Sequence, residues 1–539
     1  MSTFRSIAAL AVSLGLTGAA WAQPLRIGRE FRVNTYTTSA QTSPSVGVAV
    51  SGDFIVAWQS YAQDGSAHGI FARRFASSGA ALDMTDFRVN TYTTSYQLSP
   101  SVGVAPSGDF VVVWTSSGQD GFYYGIFARR FASTGVALDM TDFQVNTSTA
   151  YSQHLPSVGV ASSGDFVVAW ASFNQDGSDS GIFARRFAST GIALDTTDFQ
   201  VNSYTTSYQV SPSVGVAPSG DFVVAWTSFG QDGSGYGIFA RRFDSAGVAL
   251  DAADFQVNTY ATTAQSQPSL GVAPSGDFVV AWTSFGQDGS GYGIFARRFD
   301  SSGVALDTTE FQVNTYTTNT QYRPSVGVAP SGDFVVTWAS GFQDGSDIGI
   351  FTRRFSSAGV PLDTTEFQVN KYTTDYQSRP SVGVAPSGDF VVAWTSDGQD
   401  GSDEGIFSQR FCGNTDTDGD GLCDSEDIII TNPLDGGVVD CRTPGLRSSR
   451  PLIKWDKGNY DRFRVQVSWN LAFPKAQRIT SGDELLRDSQ WKPGADAWRR
   501  FCNNEGGDAF IRVFGVDLQR GKNHPLRKTF SNEIAALVL

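Results

Sequence analysis

The chain has 539 residues, 40% hydrophobic and 17% charged, with a net charge of −14. That length suggests about two to four domains, and its acidity argues against a nucleic-acid partner. Gly, Thr, Ser, Val and Phe are abundant and no long helical periodicity runs through the chain, which excludes a helical bundle and points to an all-β fold.

In chain order, residues 1–22 read as a secretory signal. Arg5 supplies the positive end, IAALAVSLGLTGAA the short apolar run, and Ala20, Trp21 and Ala22 a cleavage site before Gln23. The run is too short to span a bilayer comfortably, and no later stretch is apolar enough to do so. The mature protein is expected to be secreted (extracellular, at the cell surface or periplasmic), with no membrane span, and to act as a monomer.

From residue 31 the segment FRVN or FQVN recurs with a constant period of 56 residues, at Phe31, Phe87, Phe143, Phe199, Phe255, Phe311 and Phe367. Such a period in a β-rich chain indicates propeller blades or a solenoid. Residues 212–258 show one unit: strand PSVGVAP, turn SGD, strand FVVAWTS, Gly-rich loop FGQDGSGY, strand GIFARRF, a longer connection and strand FQVN. Four short strands per unit is the blade pattern. The third strand occurs seven times, last as GIFSQRF at 405–411, and no FQVN follows it. The orphan FRVN at 31–34 therefore completes the last blade and closes a seven-bladed ring, removing an open sheet edge.

Alternation within 222–226 puts Phe222, Val224 and Trp226 on one face and Val223 and Ala225 on the other. Phe239 and Phe243 extend the bulky face, Ile238 and Ala240 the small one, so neighbouring blades interdigitate. The tryptophan of each unit, Trp58 to Trp394, is a core residue rather than a stacking platform. Asp221 and Arg242, at adjoining ends of strands two and three, are expected to pair, as are their counterparts in each blade. The repeats resemble tandem QDGSGYGIFARRF-type repeats of secreted and surface proteins of bacteria. The resemblance covers residues 31–411 and implies an extracellular propeller-like module without a particular chemistry.

After the last blade comes DTDGDGLCDSED, residues 416–427. Asp416, Asp418 and Asp420 stand at loop positions one, three and five, Leu422 offers its carbonyl at seven, and Asp424 and Asp427 follow at nine and twelve. That is calcium-loop spacing: a hard cation collects six or more oxygens from alternate residues, and Gly421 permits the sharp turn. The stretch resembles thrombospondin type 3 repeats, and also EF-hand and dockerin loops. It departs from the EF-hand in having Asp427 where a longer Glu closes the site, and no clear flanking helices. Calcium is the expected cofactor, stiffening a joint at 412–427.

Four cysteines follow the repeats, Cys412, Cys423, Cys441 and Cys502. An even number in an exported chain suggests disulfides. Pairing as neighbours, 412–423 and 441–502, gives chain-entropy contributions of about 3 and about 4 kcal/mol. Residues 428–539 carry +6 against −15 for residues 23–411. They alternate as strands at PLIKW, RFRVQVSW, AFIRVFGVD, LRKTFS and EIAALVL. This segment is similar to fibronectin type III domains and is expected to be a β-sandwich.

Catalytic signatures are sparse. His68, His154 and His524 form no Ser–His–Asp order or zinc cluster, and the acidic residues recur in every blade, whereas a catalytic site breaks symmetry. The expectation is a calcium-binding, non-enzymatic interaction or adhesion protein that binds an extracellular glycan or protein through one propeller face. The alternative is a propeller glycosidase or polysaccharide lyase. Variation among the seven copies collects in the connections before strand one and between strands two and three, which share a face. Tyr123, Tyr124, Tyr236 and Tyr292 are the ligand-face candidates there.

Overall fold

The computed structural model describes Pro24, residues 26–121 and 123–413, and short strands between residues 453 and 537. Residues 26–411 form seven four-stranded antiparallel sheets. In the first blade, β2 (Gln41–Val48), β3 (Phe54–Tyr61), β4 (His68–Phe75) and β5 (Phe87–Arg88) pair in that order. The other blades copy it. Fourth strands are shorter than FQVN suggested, two residues each, apart from the one that closes the ring. First strands begin earlier, at the Gln of each connection, and carry a bulge before the Ser of PSVGV.

The blade faces pack as the alternation requires. Val167, Ala169, Ile182 and Ala184 of blade three meet Phe222, Val224, Trp226, Phe239 and Phe243 of blade four in one buried cluster. The same small-against-bulky interface recurs around the ring. The seven blade tryptophans, Trp58 to Trp394, have no exposed surface. The innermost strands are tied by a belt of hydrogen bonds: each PSVGV serine accepts from the backbone N–H of the next blade, as Ser45 Oγ does from Val102 and Ser381 Oγ from Val46, both at 3.0 Å. Glycine follows in that strand because the blades nearly touch: a Cβ on Gly215 would lie 2.2 Å from Leu270 Cδ2 and 2.4 Å from Val272 Cγ2.

β1 (Arg26–Arg32) pairs antiparallel with the third strand of blade seven, Glu404–Phe411. It reproduces the contacts of a covalently continuous fourth strand. Asn34 Oδ1 accepts from Ile406 N at 2.8 Å, as Asn202 Oδ1 does from Ile182 N at 2.7 Å. Glu30 accepts from Lys371 N at 2.6 Å and Gln399 Nε2 at 2.5 Å.

The expected Asp221–Arg242 pair is not formed. Arg242 pairs with Asp251 at 2.6 Å, and Asp221 Oδ1 instead accepts from Ser245 N at 2.8 Å. The connection after strand three folds back and presents Asp251 to the guanidinium, leaving Asp221 to cap the adjoining turn. Blades one to six share this ion pair. Arg242 Nη1 also donates to Ser301 O of the next blade at 2.9 Å, so the arginine links blades rather than setting register.

Beyond the ring, Arg462–Ser468 pairs antiparallel with Ala509–Val516, flanked by Arg478–Thr480 and Ala535–Leu537. The expected calcium loop with Asp416, Asp418, Asp420, Leu422, Asp424 and Asp427, and the cysteines Cys423, Cys441 and Cys502, lie outside the described residues, as does LRKTFS. Cys412 is buried against Ile27. No helix among the described residues is long and apolar enough to cross a membrane.

Candidate functional site

The face bearing the connections from strand four to strand one and the hairpins between strands two and three is here called the upper face. On the lower face, clefts between neighbouring blades are lined by recurring Ser, Gly, Pro, Asp and Arg. The lower mouth of the channel is ringed by residues such as Val48, Val104, Pro218 and Pro330. Features repeated so evenly offer no distinct reaction centre.

The upper face departs from symmetry. The strands of each hairpin extend further than the sequence suggested, so the last residue of strand two directly opposes the first of strand three. Those pairs are Tyr61–His68, Ser117–Tyr124, Phe173–Ser180, Phe229–Tyr236, Phe285–Tyr292 and Gly341–Ile348 in blades one to six. In blade seven the pair is Asp397–Glu404. Two carboxyl groups stand where other blades place an aromatic, a hydroxyl or an aliphatic group.

Their surroundings raise both above the ordinary carboxylate range. Burial acts first on Asp397, joined by the charges of Asp375 and Asp403. Burial acts first on Glu404 too, then the charge of Asp397, while Arg379 opposes the shift. Asp403 adds to the shift of both, and Arg379 counteracts it at Glu404 alone.

Arg379 belongs to a second asymmetric set. The bulge of each first strand holds one residue at positive φ: Ser43, Ser99, Leu155, Ser211, Gln267, Arg323 and Arg379, between 53° and 57°. The conformation belongs to the architecture, since all seven share it, and the chemistry comes from which side chain it carries. Serine, leucine and glutamine give way to arginine in blades six and seven. Arg379 Nη1 reaches Ser43 Oγ of blade one.

The four tyrosines are spread around this face rather than gathered. Tyr236 and Tyr292 begin third strands and stand edge-on to Phe229 and Phe285, each with ring centroids 5.0 Å apart. Tyr124 is half-buried and Tyr123 is 66% exposed. His68 packs between Tyr61 and Tyr96, at 5.1 and 5.7 Å, and burial holds its pKa below the usual value. Burial does the same to His154. Among the described residues no group of three or more His, Cys, Asp or Glu could hold a metal ion.

The raised carboxyl pKa values make a pH prediction. The fold favours the protonated forms. Below the pKa of the unfolded chain both states are protonated and nothing is lost; as pH rises toward the folded pKa values, stability declines. Glu404→Gln and Asp397→Asn are expected to raise Tm slightly at pH 7 and leave it unchanged near pH 3. Equal melting of parent and variants at both pH values would contradict the electrostatics.

The ring, its closure and its alternating packing define the class: a seven-bladed β-propeller. No family model matches the chain, and no curated protein matches it in sequence. Among solved structures it is similar to a protein of unknown function from Dyadobacter fermentans, at 9% identity, over 72% of this chain and 99% of that one, with a TM-score of 0.45. It is similar to the α-L-arabinanase of Penicillium chrysogenum, at 14% identity, over 58% and 92%, with a TM-score of 0.40. The α-L-arabinofuranosidase of Fusarium graminearum gives 13% identity over 62% and 99%, with a TM-score of 0.41. At these identities the likeness is one of fold alone.

The expectation of a non-enzymatic adhesion protein is corrected: its premise, that acidic residues only recur from blade to blade, fails at Asp397 and Glu404. Register hid them: in sequence, both sit in what reads as loop. Aligning the seven copies column by column, and looking for carboxylates in columns that hold none in the other six blades, is the signal that finds them.

Proposed function

We propose that the propeller is a glycoside hydrolase whose reaction centre is the Asp397–Glu404 pair of blade seven. The observation that supports it is this cross-strand carboxyl pair, in place of the aromatic, hydroxyl and aliphatic pairs of the other blades. Glycoside hydrolysis needs one carboxyl group to protonate the leaving oxygen and another to act as nucleophile or base. Asp397, beside the charges of Asp375 and Asp403, is assigned the acid, and Glu404, the one of the two that Arg379 counteracts, the nucleophile.

Asp397 and Glu404 are directly opposed across the hairpin, and retaining enzymes work with two close carboxyl groups. On that reading the reaction proceeds through a glycosyl–Glu404 intermediate. The C–O bond to the leaving sugar breaks as Asp397 gives that oxygen its proton. Asp397 then takes a proton from the water that releases the sugar. Tyr236 and Tyr292, on the same face, offer ring surfaces for neighbouring sugar units. Export, expected from residues 1–22, suits a polymeric substrate met outside the cell.

The test is release of reducing ends from a panel of polysaccharides, with the anomer of the first product read by NMR. Glu404→Gln is expected to lower kcat/KM by about 10²–10⁴-fold. An unaltered rate in that variant, or no cleavage of any polysaccharide by the parent, sinks the proposal.

A further inference from the structure

Two adjacent positions at the upper mouth of the channel carry arginine, in a ring whose body is acidic. Arg323 and Arg379 sit at the same bulge in blades six and seven, one blade step apart. The side chain of Arg379 spans such a step, since it reaches Ser43 in blade one. Residues 23–411 hold 35 acidic and 20 basic residues. Yet among the described residues no carboxylate forms an ion pair with either arginine, and the Arg323 guanidinium has no hydrogen-bond acceptor. Arg323 is half-buried. Burial, and then the charge of Arg379, make its ionised state costly. A half-buried cation held beside a like charge is unfavourable unless an anion joins it. Tyr322 and Tyr376 stand close by, each within electrostatic reach of the other, and Arg379 lies within reach of Glu404.

We propose that Arg323 and Arg379 form an anion subsite that receives the charged group of an acidic sugar unit, so that the substrate is an anionic polysaccharide. The inference rests on the hydrolase reading for what happens beside the subsite. The shared chemistry is an oxyanion with two or three oxygens, the carboxylate of a uronate or the sulfate of a sulfated sugar. Paired guanidinium forks match either one. Ser43 Oγ is one neutral partner already in reach of Arg379.

The experiment measures binding of the full chain carrying Glu404→Gln, so that cleavage does not consume the probe. Immobilised polygalacturonate and alginate report uronates, carrageenan and chondroitin sulfate report sulfate esters, and arabinan and cellohexaose serve as neutral probes. Arg323→Ser and Arg379→Ser are the variants, because serine occupies this bulge in blades one, two and four and so is compatible with the fold. At least one anionic probe is expected to bind, more weakly as salt is added. Each single variant should bind it about tenfold more weakly, with the neutral probes unaffected. Failure of every anionic probe to bind, or anionic binding unmoved in the double variant, overturns the subsite. Binding of an anionic probe by this chain, with no cleavage by the parent, keeps the subsite and removes the hydrolase. Cleavage confined to neutral glycans does the reverse.

Discussion

A chain lacking residues 1–34 is expected to lose the whole propeller, not merely its first strand. β1 and the residue after it bury Ile27 and Val33, at 3% and 0% exposure. Each such burial is worth about 1.5–3 kcal/mol. Phe31 adds a tilted contact with Phe75 of blade one at 5.4 Å. Arg26 donates to the carbonyls of Gln368 and Val369, both at 2.6 Å. Without β1 the third strand of blade seven becomes an open edge, which invites association between chains. These losses sum to a large part of the usual stability of a folded domain, about 5–15 kcal/mol. Asn34→Ala isolates one tie. It strands the Ile406 N–H and should cost about 1–3 kcal/mol. Asn202→Ala, within continuous chain, should cost the same, because both asparagines make the same bond. A truncated chain that melts with the parent, or a harmless Asn34→Ala beside a costly Asn202→Ala, would refute closure by β1.

The second large effect belongs to the tryptophans. Trp226 has no exposed surface and packs with Phe222, Phe239 and Phe243 against the small face of blade three. Trp226→Ala is expected to destabilise by about 3–5 kcal/mol, through lost burial and the cavity left between blades. Trp226→Phe should cost clearly less. The indole Nε1 has no hydrogen-bond partner in any of the seven blades, so phenylalanine removes a buried donor that the fold leaves unsatisfied. Denaturant melts of the two variants test the assignment. An alanine variant as stable as the parent would mean that the tryptophans are not core.

Where a residue repeats, its place repeats, and the sequence alone conveys it. The 56-residue period, the orphan FRVN and the alternation of Phe, Val and Trp led to the ring, its closure and its packed faces. Long-range side-chain reach was less legible. Asp221 adjoins Arg242 by strand order, but the fold-back that brings Asp251 to Arg242 depends on the path of residues 244–254. The candidate site was less legible still. Asp397 and Glu404 face each other only because both strands of the hairpin run further than their hydrophobic patterns suggest, and polar ends of strands read as loop. Arg323 and Arg379 stood in plain view within NTQYR and DYQSR. Nothing in a linear reading says that residues one period apart are neighbours around a channel.

The central claim is that blade seven alone carries the reaction, and it is tested by making blade seven ordinary. Asp397→Phe combined with Glu404→Tyr copies the Phe229–Tyr236 pair of blade four, which the ring already accommodates with ring centroids 5.0 Å apart. The measurement is polysaccharide cleavage by this double variant alongside its Tm. The double variant is expected to show a Tm equal to the parent's or slightly higher, because a repelling acid pair is gone, with hydrolysis reduced by about 10²–10⁴-fold or more. A double variant that folds as the parent does and still cleaves at the parental rate would contradict it.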